Sequence, residues 1–194
     1  TLGLRQTWDH KYMRRTQNGA TPFRSAVDLD RNTRDAKFSA LTGNLTLDYR
    51  ASDALNFYGR VAKGYRSGGF NVRETNDTTN ARGGLVPFDN ETIWSYELGF
   101  KAQVGRMFRL NGAVFHNVYS NLQVTVPITF GGGASTFGTA VANAGKVNYD
   151  GFELEGMFRP SDFFWVDGNL GYTRKKYKEF NAANNLGQTV NIAQ

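Results

Sequence analysis

The segment TIWSYELGFKAQV, residues 92–104, alternates strictly between apolar and polar positions from Trp94 onward. Even positions from Trp94 to Val104 carry apolar side chains, and odd positions from Ser95 to Gln103 carry polar side chains or glycine. A β-strand points successive side chains to opposite faces, so this segment has one apolar and one polar face. Because about ten residues of tilted strand cross the hydrocarbon core of a bilayer, the segment is long enough for a transmembrane strand.

The same alternation recurs along the chain and predicts seven strands. We place them at about 1–12, 38–50, 55–66, 92–104, 107–126, 144–159 and 163–177. Their connections alternate between short turns at 51–54, 105–106 and 160–162 and long loops at about 13–37, 67–91, 127–143 and from 178 onward. Short turns on one side and long loops on the other are typical of an outer-membrane β-barrel.

Aromatic residues on the apolar face fall into two groups, one at each end of the strands. Such groups are expected where a barrel crosses the two membrane interfaces. The group beside the short turns is Tyr49, Phe57, Phe108, Phe158 and Phe164, and the group toward the long loops is Tyr65, Trp94 and Tyr172.

Composition excludes several other classes of protein. The 194 residues are 14% aromatic and include 22 glycines, 4 prolines and no cysteine, which favours strands and turns and excludes disulfides and thiolate metal sites. No apolar run approaches the roughly 18 residues of a transmembrane helix. No signal peptide is present, and the chain begins within a strand pattern and ends in a polar stretch, so we expect an internal segment of a longer barrel.

Nucleic-acid binding and catalysis find little support in the sequence. The net charge is +6, but the basic residues are scattered among apolar ones, as suits a hydrated lumen or loop. The histidines, His10 and His116, belong to different predicted strands, so they lack the spacing of a zinc site, and no catalytic triad is evident. The glycine-rich stretches at 67–69 and 131–133 do not lie between a strand and a helix, as a phosphate loop would. We therefore predict no enzyme activity, no cofactor, no metal and no nucleic-acid partner.

Several motifs, in a fixed order, resemble the TonB-dependent outer-membrane receptors. Together these motifs cover most of residues 1–180. They are AKGYRSGGFN at 62–71, PFDNE at 87–91 leading into YELGFK at 96–101, NGAVF at 111–115 followed by NLQV at 121–124, and NAG at 143–145 leading into GFELE at 151–155.

The resemblance implies an all-β, antiparallel transmembrane β-barrel of 22 strands, of which the chain supplies about seven, around a plugged lumen. Residues 1–194 would all belong to one barrel domain, with the plug domain and the barrel ends outside the sequence. The resemblance also implies a location in the bacterial outer membrane and import of a scarce nutrient such as an iron–siderophore complex. The expected partners are the receptor's own plug domain, the TonB complex through the missing N-terminal part, outer-membrane lipid and lipopolysaccharide, and a small-molecule nutrient or metal chelate.

Candidate site residues fall into three sets. The plug- or lumen-facing candidates are Arg60, Glu97, Lys101, Glu153 and Glu155, on a polar face that also carries Arg5, Asp48, Arg50, Arg109 and Asp167. The ligand-binding candidates, in the long loops and upper lumen, are Arg66, Arg73, Arg82, Tyr119 and Gln123, because arginine suits an anionic chelate and tyrosine offers a ring and a hydroxyl. Lys63 and Arg174 lie on the apolar face near the loop ends of their strands, where we expect them to meet lipopolysaccharide phosphates or to extend into water.

Two alternative functions stay open at this point. An unplugged, porin-like barrel would be a passive channel, although the family motifs argue against it. A soluble carbohydrate-binding β-sandwich also alternates along its strands, but its strands are usually shorter.

Overall fold

A computed structural model describes residues 1–14, 33–71, 86–130, 136–143, 145–183 and 189–191. Within these ranges all regular structure is β-strand, and no helix is long and apolar enough to cross a membrane. The strands are β1 (Leu2–Arg14), β2 (Thr33–Ser52), β3 (Leu55–Arg66), β4 (Gly69–Asn71), β5 (Val86–Phe88), β6 (Glu91–Val104), β7 (Phe108–Ser120), β8 (Gln123–Phe130), β9 (Thr136–Asn143), β10 (Lys146–Ser161), β11 (Phe164–Glu179), β12 (Asn181–Ala183) and β13 (Thr189–Asn191).

Seven of these strands form one antiparallel sheet in the order β1-β2-β3-β6-β7-β10-β11. They correspond one to one to the seven strands predicted from the sequence, and each pairs with the next along the chain. Turns of two or three residues join β2 to β3, β6 to β7 and β10 to β11 at one end of the sheet. Gly105, in the second of these turns, has a φ of 56°, a backbone conformation that glycine adopts without a steric penalty. The described parts of the long connections, within 67–71, 86–90 and 121–145, lie at the opposite end.

The long connections contain short hairpins of their own, and this corrects one predicted strand. The prediction of one strand over 107–126 is wrong, because β7 ends at Ser120 and β8 begins a separate hairpin with β9. Asn121 separates them with a φ of 54°, a left-handed conformation that interrupts a strand. The expected loop at 127–143 is therefore largely hairpin, and a second hairpin, β4–β5, lies within the expected loop at 67–91.

Burial in the sheet is the reverse of that in a soluble protein. The apolar face is exposed, with 65% of Leu98, 67% of Leu47 and 77% of Trp8 accessible. Among the described residues the buried hydrophobic side chains are only Ala140 and Val147. Because removing a Leu or Phe side chain from water is worth about 1.5–3 kcal/mol, a face of this kind needs lipid against it. Since no second sheet covers this face in the described part of the chain, the β-sandwich alternative does not hold.

The aromatic residues at the upper edge of the apolar face show how the strands are tilted. We define the upper edge as the edge nearer the long connections. Hydrogen-bonded rows through Trp8 on β1, Trp94 on β6 and Tyr172 on β11 cross β2 at Ser39, Gly43 and Leu47, respectively. The aromatic edge thus shifts by eight residues over six strand steps. Eight residues correspond to about 27 Å along the strands, and six strand steps correspond to about 29 Å across them. The strands are therefore tilted by about 43°, which is within the roughly 35–45° of outer-membrane barrels.

The tilt predicts which positions on the outer face contact hydrocarbon. Val114 lies on β7 inside the apolar band, whereas Val118 lies four residues further up the same face, beyond the aromatic edge. We expect Val114→Arg to destabilise the folded protein in lipid vesicles by about 2–4 kcal/mol, and Val118→Arg by about 0–1 kcal/mol. Equilibrium urea unfolding of both variants measures the difference, and equal destabilisation would contradict the placement of the membrane.

Candidate functional site

The polar face of the sheet carries charges of both signs on neighbouring strands. Arg60 of β3 is directly opposite Glu97 of β6. Lys101 of β6 and Glu155 of β10 share one hydrogen-bonded row, and Glu153 lies two residues further along β10 on the same face. The five predicted lumen residues are therefore on one face of the wall. That this face contacts a plug domain stays a prediction.

Tyr58 contacts residues of the neighbouring strand in the middle of this face. Its hydroxyl donates a hydrogen bond of 2.7 Å to a carboxylate oxygen of Glu97. The Lys101 ammonium lies 5.6 Å from the centre of the Tyr58 ring. The ring crosses directly opposite Gly99, where a Cβ atom would lie 2.6 Å from ring atoms. A glycine at position 99 therefore leaves the space that lets Tyr58 reach Glu97.

A second, weaker group lies closer to the short turns. Arg109 and Glu155 form an ion pair of 3.5 Å, and the Asn111 amide donates to the other Glu155 oxygen at 3.3 Å. Both members of the ion pair are about half exposed, 47% and 58% of their side chains. Ion pairs with this exposure contribute about 0–1 kcal/mol, so a competing polar surface can replace them at little cost.

We call the end of the sheet nearer the long connections the mouth. There, side-chain amides connect the β4–β5 and β8–β9 hairpins to the wall. The Gln123 amide group donates to the carbonyls of Ser67 at 3.1 Å and Asp89 at 3.0 Å. Its backbone N–H donates to a Glu91 carboxylate oxygen at 2.6 Å. Asn143 exchanges hydrogen bonds with the backbone of Asp89, at 2.7 and 3.0 Å. We call this set the amide network.

Asn71, which is 9% exposed, extends the amide network from β4 to β9. Its side chain donates to the Val141 carbonyl at 2.8 Å and accepts from the Val141 N–H at 2.7 Å. Because these two bonds link segments 70 residues apart, they hold the β4–β5 and β8–β9 hairpins together. Gly68, the residue before β4, also contacts the upper part of β1, where the Lys11 ammonium donates to its carbonyl.

Three tyrosines and one lysine lie together on the polar face at the mouth, and we call these four residues the Lys175 cluster. The Lys175 ammonium lies 4.4 Å from the centre of the Tyr177 ring and 5.6 Å from that of Tyr149. Tyr119 meets Tyr149 edge to face at 5.4 Å. Val147 pairs with both Tyr119 and Tyr177, so it lies between them in one cross-strand row, and it is fully buried.

The outer face above the aromatic edge carries polar side chains. Lys63 lies 5.6 Å from the centre of the Trp94 ring. Arg174 is directly opposite Asp150, whose carboxylate pairs with the imidazole of His116. Both cations predicted to meet lipopolysaccharide therefore lie on the outer face. Their binding of lipopolysaccharide stays a prediction.

The predicted ligand-binding residues are spread over the mouth. Arg66 ends β3 with an exposed side chain, Tyr119 belongs to the Lys175 cluster and Gln123 to the amide network. Arg73 and Arg82 lie outside the described residues. A ligand role for each of the five stays a prediction, and the Gln123 amide already donates to backbone carbonyls.

Sequence reasoning missed the association of Tyr149 with Lys175. The available signal was that both fall on polar-face positions of long strands, with Tyr177 two residues beyond Lys175. It also missed Asn71 and Asn143, because nothing local distinguishes an asparagine that bonds to a distant strand from one in a turn. No group of three or more His, Cys, Asp or Glu side chains that could hold a metal ion occurs in the described ranges.

Comparison with known proteins assigns the chain to a class. Residues 1–193 match the TonB dependent receptor-like β-barrel family, so the chain belongs to that family and to the bacterial outer membrane. Among curated proteins, it is 29% identical over 131 residues to the pesticin receptor of Yersinia pestis and 30% identical over 131 residues to that of Yersinia enterocolitica. Each match covers 66% of this chain but 17% of the relative, so the chain spans about a sixth of their length.

Two solved structures have a similar fold. The ferric yersiniabactin uptake receptor FyuA from Yersinia pestis superimposes with a TM-score of 0.57 at 25% identity, over 74% of this chain and 20% of that one. The copper transporter OprC superimposes with a TM-score of 0.63 at 15% identity, over 90% of this chain and 27% of that one. The second likeness concerns the fold alone.

The amide network makes a prediction about local opening. Asn71→Ala removes both hydrogen bonds to Val141, each worth about 0.5–1.5 kcal/mol, so we expect hydrogen exchange at the Val141 N–H to rise about tenfold or more. Asn148→Ala, on the outer face of β10, is the control and should leave that exchange rate unchanged. Unaltered exchange in the Asn71 variant would show that the hairpins are held by other contacts.

The outer-face cations make a prediction about lipid. We expect replacement of both Lys63 and Arg174 by Gln to reduce the lipopolysaccharide that copurifies with the receptor at least twofold, because two cations at the phosphate level are lost. Lys101→Gln, on the polar face, serves as the control. Unchanged lipopolysaccharide in the double variant would mean that these side chains only extend into water.

Proposed function

We propose that this chain forms wall strands of an outer-membrane receptor that imports an iron–siderophore complex with energy from the TonB complex. Family membership supports a receptor, and relatives named for pesticin and ferric yersiniabactin support siderophore-linked uptake. The observation that carries the proposal is the reversed burial of the sheet: an exposed apolar face and a polar face with paired charges.

The polar face suits contact with a plug domain that must be held and then released. Its ion pairs and hydrogen bonds, such as Arg109 with Glu155 and Tyr58 with Glu97, are partly exposed to water. Groups of this kind can exchange partners with a polar plug surface at a cost of about 1 kcal/mol each. Many such weak contacts would hold a plug in place and still allow its displacement when force is applied through TonB.

Binding and transport, rather than catalysis, account for the side chains on this face. Some of its charged groups pair with one another or lie over aromatic rings, as Arg109 does with Glu155 and Lys101 does with Tyr58. The passive, porin-like channel remains the competing function, and it differs in one measurable respect, its independence of cellular energy.

Uptake measurements separate the two functions. We expect cells that lack their own siderophore receptors and express this receptor to accumulate ⁵⁵Fe from ferric yersiniabactin, or another ferric siderophore in a panel, only when TonB is present. Cells without TonB should accumulate no more than cells with an empty vector. Equal accumulation with and without TonB, together with steady ion conductance in planar bilayers, would overturn the import proposal in favour of a passive channel.

A further inference from the structure

The two histidines of the sequence have the same kind of partner, an aspartate of the neighbouring strand on the outer face of the sheet. The imidazole of His10 on β1 pairs with the carboxylate of Asp35 on β2. Nδ1 of His116 on β7 lies 2.5 Å from a carboxylate oxygen of Asp150 on β10. All four side chains are about half exposed, so water or a lipid headgroup can reach them. We call these two contacts the His–Asp pairs.

The His–Asp pairs lie at the upper edge of the apolar face. His10 is two residues beyond Trp8, which marks the aromatic edge on β1. Asp150 is opposite Arg174, which is two residues beyond Tyr172, the residue that marks this edge on β11. Two residues of strand span about 7 Å. Because the long loops of such barrels are extracellular, both pairs lie near the headgroups of the outer leaflet.

Cations lie beside both pairs. Lys37 is directly opposite His10, and Arg174 is directly opposite Asp150. The other charged or titratable residues that alternation and register place on this part of the outer face are Tyr12, Arg14, Lys63, Tyr96, Lys146, Lys176, Lys178 and Glu179. In the described ranges this surface therefore has more cations than carboxylates, and its carboxylates other than Glu179 belong to the His–Asp pairs.

The charge of each pair depends on pH. Imidazole is the side chain that changes its charge between about pH 5 and pH 8. A pair with a neutral imidazole carries one negative charge on its carboxylate, and a pair with an imidazolium carries no net charge. Acidification over this range therefore makes the outer face more positive by one charge for each pair, while the neighbouring lysines and arginines keep their charges.

We propose that the His–Asp pairs belong to a binding surface for lipopolysaccharide phosphates and make its affinity higher at acidic pH. Charge complementarity supports this occupant, because the surface is mainly cationic and lies at the level of the outer-leaflet headgroups. A lipopolysaccharide molecule carries several phosphates and can contact cations on more than one strand, whereas phosphatidylglycerol carries one. At neutral pH, Asp35 and Asp150 repel these phosphates, and protonation of the histidines cancels that repulsion. Such a surface would act independently of import.

The lipid alone would respond to pH in the opposite direction. A phosphate monoester loses negative charge as the pH falls through about 6, which weakens its attraction to lysine and arginine. Tighter binding at acidic pH therefore requires groups on the receptor that become more positive. A single charge near an anionic membrane surface changes the affinity about fivefold.

Two double variants and one matched control separate the charges involved. His10→Gln with His116→Gln removes the groups that gain a proton and leaves both aspartates. Asp35→Asn with Asp150→Asn removes the repelling carboxylates at every pH and leaves both histidines. The control, Asp48→Asn with Asp167→Asn, removes the same number of carboxylates from the polar face, on the other side of the wall.

The test is titration of the full receptor, purified in neutral detergent, with fluorescently labelled lipopolysaccharide at about pH 7.5 and about pH 5.5. We expect the wild type to bind at least about fivefold more tightly at the lower pH, and the histidine variant to bind no more tightly there. The aspartate variant should bind at least about fivefold more tightly than the wild type at the higher pH, whereas the polar-face control should stay within about twofold of the wild type. Unchanged heat-modifiable migration on gels establishes that each variant is folded.

Three results would each overturn the proposal. They are no gain in wild-type affinity at acidic pH, a gain that persists in the histidine variant, and an aspartate variant that binds no more tightly than the wild type at the higher pH. Labelled phosphatidylglycerol provides the remaining comparison, and an equal pH response to it would overturn the assignment to lipopolysaccharide. None of these results bears on TonB-dependent uptake, so a failure here leaves the proposed import function intact.

Discussion

The backbone hydrogen bonds of the seven-stranded sheet are the constraint on which the rest of the structure depends. Hydrocarbon offers no partner for a peptide N–H or C=O, so a chain that crosses it in strands must satisfy these groups from neighbouring strands. The ladders from β1 to β11 do so across the described part of the wall. Side chains are then free to differ completely between the two faces, because neither face has to satisfy the backbone.

This separation lets one strand serve two environments. In β11, Arg174 and Lys176 face outward above the aromatic edge, while Lys175 faces the lumen. Three consecutive cations, which in a loop would form a single basic patch, are thereby divided between the lipid headgroup level and the mouth of the lumen. The pairing of each with its own neighbours, Asp150 opposite Arg174 and Tyr149 opposite Lys175, follows from the register alone.

The sequence was sufficient to predict the number, order and faces of the membrane strands, since a two-residue period over ten or more residues leaves little ambiguity. It could not locate the break at Asn121, because alternation continues on both sides of that residue and only its backbone conformation differs. The candidate site at the mouth was harder to predict than the strands. The chemistry of Tyr119 makes it a candidate in the sequence, but its association with Tyr149 and Lys175 depends on which residues of β7, β10 and β11 are opposite one another. The link from Asn71 to Val141 depends on how two hairpins meet, which no local pattern encodes.

The irregularities of the ladders all lie near strand ends, between Arg50 and Ser52, between Lys146 and Val147, and between Phe158 and Ser161. Within the membrane band the registers are continuous. Inserting one residue there would exchange the faces of everything beyond it, and inserting two would slide the neighbouring strands by about 7 Å relative to the bilayer. As the sequences of such barrels diverge, insertions and deletions should therefore accumulate at the two ends of the strands. The central part of each strand should keep a fixed number of residues and vary only in its side chains.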